Sequence, residues 1–294
     1  MKKSLISLAI LIIGGFSLSS CVKEYKAPEP GYNVIETGVN STQLAEAPMD
    51  VYFQADRAIR CQRDSIKANN INQSSYSFNI GYITYTIAPA DTTTYPKTIT
   101  VDFGSDTTKA YTGKMTIKMS GNMRNNGSKC ALSYQNLITG KSNIVGTDTI
   151  FSSGVVGGYL SSRYNMHGGQ LIGYGNKMIS YSGRIIAKYN VSTGVNVMDS
   201  VEINATDANS VVYKLYSVPS YKTQISPNCN YINDGVIKAD IKLNNILTGL
   251  MIFDYSYNSS GLAGDCDSNG AIYAYSYLNK NYGAQYLFIA KKFY

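Results

Sequence analysis

From residue 76 onward, polar and apolar residues alternate with a period of two, in short runs that recur down to the C-terminus. That period places successive side chains on opposite faces of a strand. The clearest run is 113–119, where Lys114, Thr116 and Lys118 fall on one side and Met115, Ile117 and Met119 on the other, as in a strand with one wet and one buried face. Comparable runs at 76–87, 98–103, 129–138, 144–151, 177–189, 194–204, 210–218, 236–243, 250–257, 271–278 and 284–289 predict further strands, set apart by Asn, Asp and Gly turn residues. The glycine-dense stretch 154–175 predicts turns and bulges. Upstream the period changes. Val51, Ala55, Ile59 and Ile66 recur near helical spacing, with Arg57, Arg60, Gln62, Arg63 and Asp64 on the other faces, which predicts one helix over 49–70. Residues 21–48 hold Pro28, Pro30 and Pro48 among Gly, Asn, Glu and Ser and read as a flexible linker. No crossover helices recur, so a parallel α/β fold is excluded. The expected fold is mainly β: antiparallel meander sheets forming a sandwich or open barrel-like body over 71–294. The helix packs on that body, which divides into two subdomains, if at all, near 155–220.

The N-terminus has the pattern of an export signal over 1–20. Lys2 and Lys3 precede an apolar run, 5–16, too short to span a bilayer as a helix. The run closes on Leu18-Ser19-Ser20-Cys21, which resembles a bacterial lipobox. The resemblance implies cleavage before Cys21, a covalent lipid on its thiol and acylation of the new amine. Two or three acyl chains anchor stably where one is marginal. The expected address is therefore the cell envelope, with the chain lipid-anchored in the outer membrane and facing either the periplasm or the outside. Val22 after Cys21 gives no inner-membrane retention signal of the Asp type, and Lys23-Glu24 a faint acidic surface-export pattern.

Composition agrees with that address. The chain has 26 Tyr, 8 Phe, no Trp and few charged residues, which suits an extracytoplasmic β protein. The net charge of +7 includes the two signal lysines, and the rest is scattered without a basic run longer than Lys291-Lys292, so nucleic acid is not an expected partner. Of five cysteines, Cys21 takes lipid. Cys61, Cys130, Cys229 and Cys266 remain, an even number that permits two disulfides in an oxidising compartment. Cys229 with Cys266 is the preferred pair, because both sit in turn-like segments. Cys61 on the helix and Cys130 on a strand read equally well as buried thiols. No C-x-x-C spacing and a single His leave little for a transition metal.

The run Thr98-Ile99-Thr100-Val101-Asp102-Phe103-Gly104, a loop, and then Gly113-Lys114 through Ser120-Gly121 is similar to stretches in uncharacterised β-rich lipoproteins of Bacteroidota. In those proteins the two strands follow an N-terminal helix, and a Cys-Asp pair resembling Cys266-Asp267 lies in a C-terminal hairpin. The loop between the strands here lacks the Arg-rich stretch of that pattern. The resemblance implies fold and address, and no activity.

Several motifs offer recognition or chemistry. Asp265, Asp267 and Asn269 stand at positions 1, 3 and 5 of a calcium-loop candidate with Gly270 at 6, although position 12 is Ser276 where a bidentate Glu belongs. The alternative is a hairpin turn pinned at Cys266. His167, beside Gly168 and Gly169, is the one imidazole. No G-x-S-x-G elbow accompanies it, so a turn residue is the preferred reading over a general base. Tyr273, Tyr275 and Tyr277 fall on one strand face, with Tyr255 and Tyr257 as candidate neighbours, and read as an aromatic binding face or a cross-strand ladder. The triplets beginning at Asp64, Asp91, Asp106, Asp148 and Asp199 resemble the O-glycosylation sequon of Bacteroidota, usable only where exposed in loops. Carboxylates are sparse, and the expectation is no enzymatic activity. The expected function is a non-enzymatic binding or structural role, with an envelope protein or glycan as partner. The alternative is a fimbrial or adhesin-like subunit, which needs a removable N-terminal segment and a strand-accepting groove. A carbohydrate-binding or glycan-processing lipoprotein follows behind it.

Overall fold

The computed structural model describes residues 34–140, 142–226, 232, 234–255, 271–276 and 285–287. One long helix, α1 (Val34–Ala68), precedes sixteen strands. In chain order these are β1 (Tyr76–Ile80), β2 (Ile83–Ala88), β3 (Lys97–Asp102), β4 (Tyr111–Met119), β5 (Asn126–Thr139), β6 (Ser142–Val145), β7 (Thr147–Val156) and β8 (Tyr159–Ile172). There follow β9 (Met178–Asn190), β10 (Asn196–Asp207), β11 (Val212–Ser217), β12 (Thr223–Ile225), β13 (Val236–Leu243), β14 (Ile246–Asp254), β15 (Ala271–Ser276) and β16 (Gln285–Leu287).

Every strand pairing is antiparallel, and the strands form a single sheet that follows chain order. β6 and β7 run one after the other between the same neighbours, β5 and β8, and so act as one bulged strand. β12 is a side branch on β10. The mainly β meander with an N-terminal helix agrees with the sequence. The division near 155–220 is not seen: pairing runs unbroken through β7, β8, β9, β10 and β11, and Tyr32–Tyr294 cluster as one unit.

The sheet curls around α1, which touches β2, β3, β5, β6, β11, β13 and β14. Bulges supply part of the bend. At Gly113, φ is 85°, and an added Cβ would lie 2.0 Å from the Asn136 carbonyl oxygen, so only glycine lets β4 approach β5 there. Inward positions carry the apolar half of each alternation. Tyr85 and Ile87 on β2, Ile99 and Val101 on β3, and Met115, Ile117 and Met119 on β4 are all buried, as are Ile237, Ala239 and Ile241 on β13.

The helix departs from expectation in two ways. It begins at Val34, so 34–48 is not linker, and it runs through Pro48. A proline in a helix interior removes a hydrogen bond and costs about 3 kcal/mol. Here Leu44, Ala45, Ala47 and Met49 are all essentially fully buried around it, and each large apolar side chain so buried contributes roughly 1.5–3 kcal/mol. Nor does α1 lie on the body with a wet face. From Glu36 to Ile66 only Asp64 is exposed, so the helix is the core on which the sheet closes.

Candidate functional site

A buried unpaired polar group costs about 1–3 kcal/mol, and several polar side chains that α1 carries inward are paired with the sheet, while Ser41, Gln43, Gln54, Gln62 and Arg63 each leave one buried side-chain atom without a hydrogen-bond partner. The partners of α1 form a series along its length. In its first turn the Glu36 carboxylate accepts from Lys177 Nζ at 3.0 and 3.2 Å and from Asn209 Nδ2 at 2.9 Å. One turn on, Asn40 Nδ2 donates to the Tyr213 hydroxyl at 3.3 Å and to Asp207 Oδ2 at 3.4 Å, while Tyr213 donates to Asp207 Oδ2 at 2.7 Å. Asp207 Oδ1 takes the backbone N–H groups of Asn209 and Val211, tying the β10–β11 turn to the same knot.

At mid-helix Asp50 accepts from Thr139 Oγ1 at 3.1 Å, and burial pushes its carboxyl up to about 7 against that hydrogen bond. The Tyr52 hydroxyl meets Ser162 Oγ at 2.8 Å, and its ring centroid lies 5.7 Å from that of Tyr164. Asp56 Oδ2 accepts from Arg60 Nε at 2.9 Å and from Asn196 Nδ2 at 3.2 Å, with the Arg60 guanidinium 4.3 Å from the Tyr189 ring centroid.

The densest polar group lies where β5, β7 and β8 face α1. Asp148 is 1% exposed, and its Oδ2 accepts from both Tyr134 and Tyr164 at 2.5 Å, while Oδ1 takes the His167 backbone N–H at 3.3 Å. Burial raises the Asp148 carboxyl above its usual range, and the two phenols pull the other way. Burial first, then its neighbours, raise the Tyr164 and Tyr134 hydroxyls well above the ordinary phenol value. With both oxygens taken by protein donors, Asp148 ties β7 to β5 and β8, and the Tyr164 ring carries that contact on to Tyr52 of α1.

His167 lies at a bulge of β8 and is exposed, with Nε2 2.8 Å from Thr149 Oγ1. A triad would need an acid on the imidazole ring. Asp148 takes the backbone N–H of His167 instead, and as the strand neighbour of Thr149 it points to the opposite face. The structure thus brings a hydroxyl and an imidazole together without bringing the carboxylate to the ring.

Other expected features are placed as follows. Cys21, Cys229, Cys266, Asp265, Asp267, Asn269, Tyr257 and Tyr277 lie outside the described residues. Register puts Tyr273 of β15 opposite Ile252 and Tyr275 opposite Leu250, positions of β14 out of step with Tyr255. Tyr255 does not join them: it is 5% exposed in the core, and burial, then the Asp50 charge, raise its hydroxyl. The reason is its place at the end of β14, in step with inward-facing Met251 and Phe253. Cys61 and Cys130 are unbridged thiols, Cys130 buried and Cys61 half-buried. Of the Asp-led triplets, Thr92, Thr93, Thr107 and Thr108 are exposed in turns, whereas Asp148 belongs to the interior. Among the described residues no cluster of three metal-ligating side chains occurs, and no helix is long and apolar enough to cross a membrane.

The Asp148 group was legible only in part. Period-two alternation places Asp148 inward with Ile150 and Ser152, which marks a buried acid needing donors. Tyr134 and Tyr164 are too far along the chain to be recognised as those donors. No protein-family model, curated protein or solved structure matches the chain.

Proposed function

We propose that this chain is an exported lipoprotein, anchored in the outer membrane through acyl chains on Cys21, with a non-enzymatic binding or structural role in the cell envelope. The observation that carries the non-enzymatic part is the use made of the buried carboxylates. Glu36, Asp56 and Asp148 each accept two or more hydrogen bonds from the chain itself: Lys177 and Asn209 on Glu36 and Asn196 on Asp56 tie α1 to the sheet, and Tyr134 and Tyr164 on Asp148 tie β7 to β5 and β8. Carboxylates committed to holding the core are not the solvent-facing acid and base pair of a hydrolase. A partner then meets the outer face or the ends of the sheet. An envelope protein or a glycan fits this placement, while the scattered positive charge gives nucleic acid no footprint.

The adhesin-like alternative needs removal of an N-terminal segment, and the basic residues that could serve as cleavage points count against it. Arg57, Arg60 and Arg63 lie within α1, and Arg60 is bound to Asp56 and stacked on Tyr189, so cutting there would take away part of the core.

The test is cell fractionation with mass measurement of the mature N-terminal peptide, beside protease treatment of intact and permeabilised cells. The expected result is an acylated peptide beginning at Cys21, recovery with the outer membrane, and loss of membrane recovery in Cys21→Ala. A soluble wild-type chain without acyl mass would overturn the reading. Purified polymer that lacks 34–63 would favour the adhesin-like alternative.

A further inference from the structure

We infer that the end of the β body at which α1 begins is a membrane-contact surface, resting on the lipid bilayer that holds the anchor. The inference rests on the reading that Cys21 is lipidated. In a meander, successive hairpins turn at opposite ends of the sheet, and counting β6 with β7 as one strand fixes which turns share an end. The β1–β2, β3–β4, β5–β6, β8–β9, β10–β11 and β13–β14 turns lie at one end. α1 begins there too, because Glu36 is bound by Lys177 from the β8–β9 turn and Asn209 from the β10–β11 turn.

This end exposes apolar side chains where a globular body in water gains nothing from them. Ile246 at the β13–β14 tip is 67% exposed and Met178 at the start of β9 is 52% exposed, with Leu247, Val212 and Tyr82 also exposed. Register lines up Val212, Lys242 and Leu247 across β11, β13 and β14. A lysine between two exposed aliphatic side chains suits an interface, where its stem lies among apolar groups and its ammonium reaches the headgroups. Tyr82 has the same division of ring and hydroxyl, with the Lys109 ammonium 5.7 Å from its ring centroid.

Exposed apolar residues alone do not choose the end, since Val156 and Tyr221 are exposed at the other. The tether chooses it. Only residues 22–33 separate Cys21 from Val34. At about 3.3–3.6 Å per residue they reach roughly 40 Å when fully extended, and less in any other conformation. The end where α1 begins is therefore the one held near the bilayer, and its hairpin tips meet the lipid first.

Because the chain contains no Trp, single reporters can be read without background. Full-length lipidated protein carrying Ile246→Trp, Met178→Trp or Val156→Trp is placed in vesicles of phosphatidylethanolamine and phosphatidylglycerol, with or without brominated acyl chains. The expected result is a blue shift for Ile246→Trp and Met178→Trp and loss of their emission in brominated vesicles, with Val156→Trp unchanged. Two reporters on different hairpins keep the outcome independent of either hairpin's tolerance of Trp. If the protein floats with the vesicles but the first two reporters are quenched no more than Val156→Trp, the contact surface is overturned and the anchor stands. If Cys21 carries no acyl mass and the chain does not float, both fall.

Discussion

The Tyr164 hydroxyl on β8 donates to the Asp148 carboxylate on β7 at 2.5 Å, while the ring of the same tyrosine packs against Tyr52 of α1. One side chain thus joins a polar contact within the sheet to the helix inside it. Tyr164→Phe removes one donor from a buried acid and should destabilise the fold by about 1–3 kcal/mol. Asp148→Ala leaves both phenols without their acceptor and should cost more. Urea unfolding monitored by far-ultraviolet circular dichroism measures both, and equal stability of wild type and Asp148→Ala would contradict the assignment.

Asp50 gives the fold a specific pH dependence. Its folded carboxyl is raised to about 7, while an unfolded aspartate titrates near 3.9. The folded state therefore binds the extra proton between those values, and the contribution is full below about pH 4 and lost as pH rises through about 7. Asp50→Asn removes that titration. The melting temperature of wild type should fall relative to Asp50→Asn as pH is raised from about 4 to about 7. A difference between the two that stays constant over this range would place Asp50 in contact with solvent.

Close backbone approach between β9 and β10 depends on Gly183. A Cβ there would sit 2.2 Å from the Glu202 carbonyl oxygen and 2.8 Å from Ile203 Cα, both backbone atoms that move only with the strand. Gly183→Ala should cost about 1–3 kcal/mol, the scale of overpacking. Unchanged denaturant midpoints would mean that the two strands stand farther apart.

The two described thiols should differ in reactivity. Burial pushes Cys130 up to about 12, and it lies inside the sheet, whereas Cys61 is half-buried on α1. Maleimide labelling with peptide mapping should find Cys130 protected in the folded chain and modified once urea is added. Rapid native labelling of Cys130 would contradict its burial.

Strands were legible because each has one wet face. The alternation at 113–119 gives the faces of β4 directly, and 236–243 coincides with β13. The first half of α1 was not legible, for a reason its partners explain. A helix whose residues from Glu36 to Ile66 are, but for Asp64, buried or half-buried has no fully wet face, so polar residues such as Glu36 and Asn40 mark contacts rather than solvent. Glu36 and Asn40 answer to Lys177 and Asp207, more than 100 residues away, and local periodicity carries no trace of such pairs. Pro48 added a local signal for a break that the packing overrides. Tyr255 departs from the aromatic face for a related cause: its step from Met251 and Phe253 puts it inside, which its aromatic neighbours in sequence do not reveal.

Enclosure of α1 is the feature from which the non-enzymatic reading and the case against N-terminal removal both follow. Hydrogen exchange of the full-length protein, resolved by peptide, tests it most directly. If α1 is the core, its amides from Glu36 to Ile66 exchange as slowly as those of β8 and β9, and are released with them in a single cooperative unfolding step. If the α1 amides exchange rapidly while β8 and β9 stay protected, the helix is a detachable element, and the sheet holds its fold without it.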